Sequence, residues 1–214
     1  MKRLILIDDH KLLRKGISAY ITENSDWTIF AEAESLEEIH SVIKTIDETI
    51  TSASSDSDKT VAVVDLQLKD STSDFSGGFE AVKLLLEHGI PSVIFSSHDT
   101  GACVERAMSA EVGAKGFVSK VSDEKMLLNA IETVAEGKTF VQPDLVAAML
   151  EKRSLFSTLT KREQQVTDLI MDGLTNIQIA EKIDIKLSTL ENYISIIYAK
   201  IGCKDRPELL AKLK

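Results

Sequence analysis

The feature that most constrains this chain is an alternation of short β-branched runs with amphipathic stretches over roughly its first 136 residues. Strands read at residues 4–8, 28–31, 61–65, 92–96 and 116–119. Around them, over 12–21, 36–46, 79–87, 101–112 and 123–136, apolar residues recur three and four apart, the spacing of one helix face. Five such βα units predict a doubly wound, five-stranded parallel sheet covered by helices on both sides. The pattern then stops. Pro143 suits the opening of a short helix over 144–152, and 153–158 lead into an all-helical tail. There, Thr160 and Glu163 fit a capping box, a helix runs to Gly173, and further helices read at 176–183, 188–201 and 206–214. The expected organisation is an α/β domain over 1–136, a linker with a short helix over 137–156, and a four-helix domain over 157–214. Residues 49–59, rich in Ser, Asp and Thr, read as a solvated loop, and 69–78 is long for a βα connection.

In an open parallel sheet, ligands bind beyond the carboxyl ends of the strands, where strand order reverses. Asp8 and Asp9 end the first strand, Asp65 the third and Ser96 the fourth, and Lys120 follows the fifth. A lone strand-end aspartate is an ordinary loop residue; five such groups converging on one edge are not. Carboxylates crowded together repel one another, and a hard divalent cation relieves the repulsion. Mg²⁺ takes oxygen ligands and keeps several waters, so two of the carboxylates Asp8, Asp9 and Asp65 with a loop carbonyl such as that of Gln67 would suffice. The Lys120 ammonium and the Ser96 hydroxyl suit phosphoryl oxygens, and a carboxylate can itself act as the nucleophile that becomes an aspartyl phosphate.

These residues stand in recognisable local motifs: Leu6-Ile7-Asp8-Asp9-His10, Val63-Val64-Asp65-Leu66, Phe95-Ser96-Ser97 and Gly113-Ala114-Lys115-Gly116-Phe117-Val118-Ser119-Lys120. In order and spacing the first 136 residues resemble the CheY-like receiver domain, which has the flavodoxin-like fold. The resemblance implies that Asp65 is the phosphoacceptor, that Asp8 and Asp9 are metal ligands, that Lys120 pairs with the phosphoryl group, and that Ser96 and Phe117 form a switch pair. Two departures stand out: residues 69–76 are extended and lack the usual Pro, and Val121 stands where many receivers have Pro. His10 and His98 read as rim residues without assigned chemistry.

The net charge of −9 argues at first against a nucleic-acid partner. Its distribution leaves room for a modestly basic C-terminal surface. Residues 1–154 hold 16 Lys and Arg against 26 Asp and Glu, whereas residues 155–214 hold 9 against 8. From Leu159-Thr160-Lys161-Arg162-Glu163 through Gly173-Leu174-Thr175-Asn176-Ile177-Gln178-Ile179-Ala180 to Ser188-Thr189-Leu190-Glu191-Asn192-Tyr193-Ile194, the tail resembles the LuxR-type helix-turn-helix. A receiver joined to such a tail is similar to the NarL/FixJ class of response regulators. That resemblance implies a histidine kinase as partner, promoter DNA as target and control of transcription.

Within the tail, Ala180 is small where two helices must approach, and Ile177, Ile179, Ile183, Leu190, Ile194 and Ile197 read as core. The recognition helix is expected to begin near Ser188 and to present Thr189, Glu191, Asn192 and Ser195 to DNA, with Lys186 and Lys200 among the cations that meet phosphates. Glu191 and Ser195 occupy positions that are often basic in the family. Glu191 has three readings: it repels phosphate, accepts from cytosine N4, or closes a capping box with Ser188, the last being slightly favoured. Leu209, Leu210 and Leu213 lie at helical spacing, which suits either a homodimer contact or packing within one tail.

Other readings fit less well. A protein-binding tail that leaves DNA alone is the main alternative. A stand-alone enzyme is not expected: an aspartate-nucleophile phosphatase would carry Asp-x-Asp after the first strand, and this chain has Asp8-Asp9-His10. Flavin binding lacks its phosphate loop. Cys103 and Cys203 have no metal-ligand spacing and read as reduced packing residues. With no apolar run long enough for a membrane span, the expected location is the cytoplasm.

Overall fold

The computed structural model describes residues 1–50, 59–69 and 76–213. Most of the loop expected at 49–59 and of the extended segment at 69–78 lies outside them. The chain divides into two compact units, Met1–Leu145 and Val146–Lys214.

The first unit is a parallel sheet in the order β2-β1-β3-β4-β5-β6. Its strands are β1 (Lys2–Ile7), β2 (Trp27–Ala33), β3 (Lys59–Val64), β4 (Ser92–Ser96), β5 (Gly116–Ser119) and β6 (Phe140–Val141). Helices α1 (Lys11–Asn24), α2 (Leu36–Ile50), α3 (Ser76–Glu87), α4 (Gly101–Met108) and α5 (Glu124–Ala135) follow the first five strands in turn. The sheet holds the five expected strands and adds β6, which pairs Phe140 with Gly116 and Val141 with Phe117. The first unit therefore extends past residue 136, because the segment after α5 returns to the sheet edge. Gln142 fixes this return: its N–H donates to the Phe117 carbonyl (3.0 Å), and its side-chain oxygen accepts from the Ser119 N–H (3.0 Å) and the Ser122 hydroxyl (2.6 Å).

The central strands are covered on both sides, so their sequences are apolar throughout rather than alternating. Leu4, Leu6, Val61, Val63, Val93, Phe95 and Val118 pack with Ile17, Ile21, Leu127, Ile131 and Val134 of α1 and α5. The alternate residues Ile5, Ile7, Val64, Ile94 and Phe117 are equally buried and face the opposite side.

The second unit is helical. It contains α6 (Pro143–Ser157) from Val146 onward, then α7 (Lys161–Met171), α8 (Asn176–Lys182), α9 (Leu187–Ile201) and α10 (Arg206–Leu213). Val166, Ile170, Ile179, Leu190, Ile197, Leu209 and Leu213 are its most deeply buried apolar residues. Leu209 and Leu213 are thus consumed within one tail, and Leu210 packs partly buried against the same core. Gly202 ends α9 in the left-handed conformation, with φ 71°, where a side chain would be strained. No helix among the described residues is long and apolar enough to cross a membrane.

Candidate functional site: an acidic pocket with a lysine bridge, and an exposed helix face

The acidic pocket is set by strand register. Asp8 and Asp65 follow the neighbouring strands β1 and β3; the Asp65 N–H donates to the Ile7 carbonyl (2.7 Å), and the Asp8 N–H to the Ala33 carbonyl (3.1 Å). Both carboxylates are buried, at 4% and 3% exposure, which is unusual for acids and raises the question of what compensates them. Lys120 supplies part of the answer. Its N–H donates to the Ser96 carbonyl (3.0 Å), and its ammonium reaches Asp8 Oδ2 at 2.7 Å and Asp65 Oδ2 at 2.6 Å. One cation thus bridges two buried acids.

Burial holds the Asp65 carboxyl above its ordinary range, with the Asp8 charge adding to the effect; Lys120 and the Gln67 N–H oppose it. Asp9 is the third acid. Its Oδ1 is buried and accepts no hydrogen bond, although His10 Nδ1 stands 2.6 Å away. Donor atoms of Asp8, Asp9, His10 and Asp65 lie within 4.8 Å of one another. Three carboxylates gathered this closely around one bridging ammonium fit a divalent ion held by oxygen ligands.

Ser96 and Phe117 are both fully buried. β4 and β5 pair Ser96 with Ser119 and Ile94 with Phe117, so Ser96 and Phe117 share one face of adjacent strands. Ser96 Oγ accepts from the His98 N–H (3.2 Å). Val121 is 85% exposed beside the pocket. Two features of the pocket escaped the sequence reading. Arg14 is a buried cation on α1 whose guanidinium donates to the Asp8 carbonyl and to Glu32. Ser119 donates to Asp99 Oδ2 at 2.5 Å. A basic residue six positions after Asp8 looks like an ordinary surface charge until the fold buries it.

In the second unit, α8 and α9 meet at a tight turn in which Asp184 takes a φ of 52°. Small acidic residues tolerate that left-handed conformation better than branched ones. Along α9, Leu190, Ile194, Ile197 and Ile201 form one buried stripe, while Thr189, Glu191, Asn192 and Ser195 are exposed on the opposite arc. Lys186 is exposed at the N-cap. Lys200 is engaged within the unit, donating to Glu163 Oε2 at 2.6 Å. Lys200 first, and then the Thr160 N–H, hold the Glu163 carboxyl below its usual range.

Two expectations need correction. Ile177 is 61% exposed rather than core. At about 100° per residue it lies roughly 200° around α8 from Ile179, off the buried face. The Ser188–Glu191 capping box is also absent. The helix starts earlier than expected, with Lys186 as N-cap, its carbonyl accepting from the Thr189 and Leu190 N–H groups, so Ser188 lies inside the first turn. The capping box at Thr160–Glu163 does form, and a second joins Thr175 to Gln178.

Comparison with known proteins agrees with this two-part geometry. Residues 4–132 match the response regulator receiver domain, and residues 157–213 match the luxR family of bacterial regulatory proteins. The transcriptional regulatory protein DesR of Bacillus subtilis is 32% identical over 154 residues, which is 72% of each chain. The DNA-binding transcriptional activator DevR/DosR of Mycobacterium tuberculosis is 28% identical over 217 residues, covering 97% of this chain and 92% of the relative. The structure of RcsB from Salmonella enterica serovar Typhimurium bound to promoter rprA superposes with a TM-score of 0.63 at 19% identity, over 100% of this chain and 98% of the other, a likeness of fold. With a receiver in its first unit and a LuxR-type helix-turn-helix in its second, the chain belongs to the NarL/FixJ family of two-component response regulators.

Proposed function

We propose that Asp65 accepts a phosphoryl group from a partner histidine kinase and that this modification controls how the helix-turn-helix engages promoter DNA. The observation that carries the reading is the Lys120 ammonium lying between Asp8 and Asp65, with the Lys120 N–H held by the carbonyl of the buried Ser96. A carboxylate oxygen of Asp65 attacks phosphorus, forming an O–P bond as the P–N bond to the donor imidazole breaks and the imidazole takes up a proton. Lys120 then exchanges a carboxylate for a phosphoryl oxygen, and the Ser96 hydroxyl donates to another.

Asp8, Asp9, Asp65 and the Gln67 carbonyl are the donors we assign to Mg²⁺. When bound, the ion neutralises the charge that crowds the pocket during transfer. Modification of Asp65 alters the face of β4 and β5 on which Ser96 and Phe117 lie, and those two residues form the switch. At the output end, Thr189, Glu191, Asn192 and Ser195 form the face that enters the major groove, with Lys186 at its start. Lys200 already pairs with Glu163, so any phosphate contact from it competes with that pair.

Incubation with phosphoramidate and Mg²⁺ is expected to add one phosphate by intact-mass measurement, and none in EDTA or in Asp65→Asn. Labelling that persists in Asp65→Asn would overturn the assignment.

A further inference from the structure

The two loops that carry the metal donors follow the neighbouring strands β1 and β3, and a chain of charged groups joins them at the carboxyl end of the edge strand β2. Arg14, with its side chain 9% exposed, donates from Nη1 to the Asp8 carbonyl and from Nε to Glu32 Oε2 (3.1 Å), and its Nη2 lies 3.8 Å from Glu34 Oε2. The other carboxylate oxygen of Glu34 accepts from the Lys69 ammonium, and the Lys69 N–H points to the Glu34 carbonyl (3.5 Å). The Asp8 carbonyl belongs to the peptide that joins Asp8 to Asp9, so a donor held against it fixes the backbone of both acids. Lys69 lies two residues after Gln67 and anchors that loop to the same β2 end.

We propose that Arg14, Glu34 and Lys69 act as a clasp that positions both donor loops for the divalent cation. The inference rests on the metal reading given above. None of the three reaches the pocket's donor atoms, so they are positioning residues. Outer partners of this kind orient metal ligands, and their loss lowers affinity by roughly 10–100-fold. With Glu32 included, the group holds two cations and two anions, and the guanidinium therefore adds no uncompensated positive charge beside a cation site.

Simple electrostatics and positioning predict opposite signs. Deleting a positive charge near a cation site should tighten Mg²⁺ binding, whereas breaking the clasp should weaken it. The test is a Mg²⁺ titration of the full chain followed by amide NMR shifts, for wild type, Arg14→Met and Lys69→Met. Melting temperature is measured in EDTA for each. We expect Mg²⁺ affinity to fall by about 10-fold or more in Arg14→Met. In Lys69→Met we expect a fall of about threefold, with an EDTA melting temperature near that of wild type, because a half-exposed ion pair contributes little stability. Lys69→Met decides the matter if Arg14→Met does not fold. Unchanged or tighter binding in Lys69→Met overturns the clasp. A wild-type chain that binds no Mg²⁺ overturns the metal reading itself, and the clasp with it.

Discussion

A single methyl group placed beside the loop after Asp65 tests how tightly the pocket is built. Gly78 is the third residue of α3, and a Cβ there would lie 2.4 Å from Leu66 Cα, 2.6 Å from the Leu66 oxygen and 2.7 Å from the Asp65 oxygen. Carbon atoms pack at about 3.5–4.0 Å, so the loop after Asp65 must move by about 1 Å to admit the methyl. All three clashing atoms are backbone, and no rotamer change can relieve them. Overpacking of this kind costs about 1–3 kcal/mol or somewhat more, offset by up to about 1 kcal/mol of better helix propensity. We therefore expect Gly78→Ala to lose about 2 kcal/mol, or about 4–8 °C in melting temperature for a chain of this size. A misplacement of about 1 Å at a reacting group can also slow chemistry by about 100-fold, so phosphoramidate labelling should slow far more than stability alone explains. Gly16 is the matched control: it lies inside α1 with nothing within 4 Å of its Cβ position. There the same substitution should stabilise by about 0.5–1 kcal/mol. Calorimetry and a labelling time course read both effects. Wild-type stability and labelling in Gly78→Ala, or equal destabilisation by Gly16→Ala, would refute the reasoning.

The raised pKa of Asp65 has a definite sign in the metal-free protein: the folded chain holds that proton more tightly than the unfolded chain, so stability falls as pH rises from the ordinary carboxylate range through the raised value. In EDTA, Asp65→Asn should lose this slope, at most about 1.4 kcal/mol per pH unit, and gain on wild type toward neutral pH; parallel stability curves would contradict it. Because Glu191 is exposed and does not cap α9, its charge faces whatever the helix meets. Glu191→Lys should tighten binding to all DNA and steepen the log–log salt dependence by about one unit. Loss of preference for the native site with non-specific binding intact would instead mark a cytosine contact.

The sheet was legible because burial on both faces leaves continuous apolar runs between helical periods, and residues such as Val61–Val64 and Ser92–Ser96 show it without ambiguity. The convergence of Asp8, Asp65, Ser96 and Lys120 followed from parallel topology alone, since every strand delivers its carboxyl end to the same edge. β6 was not legible. Two residues carry no period, and Phe140–Val141 is held at the sheet edge by tertiary partners: the Phe140 N–H donates to the Lys115 carbonyl, and Gln142 meets the Phe117 carbonyl and the Ser119 N–H. The start of α9 was missed for a related reason. Ser188 is the better capping residue by propensity, yet backbone geometry made Lys186 the N-cap. Tertiary fit overrode a local preference of about 1 kcal/mol.

Charge shows the same limit of sequence reading most clearly. The near balance of cations and anions over residues 155–214 treats every Lys and Arg as available to a partner, but several already have one. Arg206 donates to the carbonyls of Ile170 and Leu174 at the end of α7, Arg162 to that of Ile183 at the end of α8, and Lys212 to that of Gly202 after α9. Helix ends leave carbonyls without intrahelical donors, and long basic side chains satisfy them while interacting favourably with the negative end of the helix dipole. Lys200 neutralises the nearly buried Glu163. These four cations hold the small domain together, and among the described residues Lys161, Lys182, Lys186 and Lys204 remain as exposed positive charges. Glu181, Asp184 and Glu191 are exposed along or beside the same helices. The tail is therefore less able to attract phosphate than its charge count implies, and under the proposed function the uncharged face of Thr189, Asn192 and Ser195 would carry correspondingly more of the recognition.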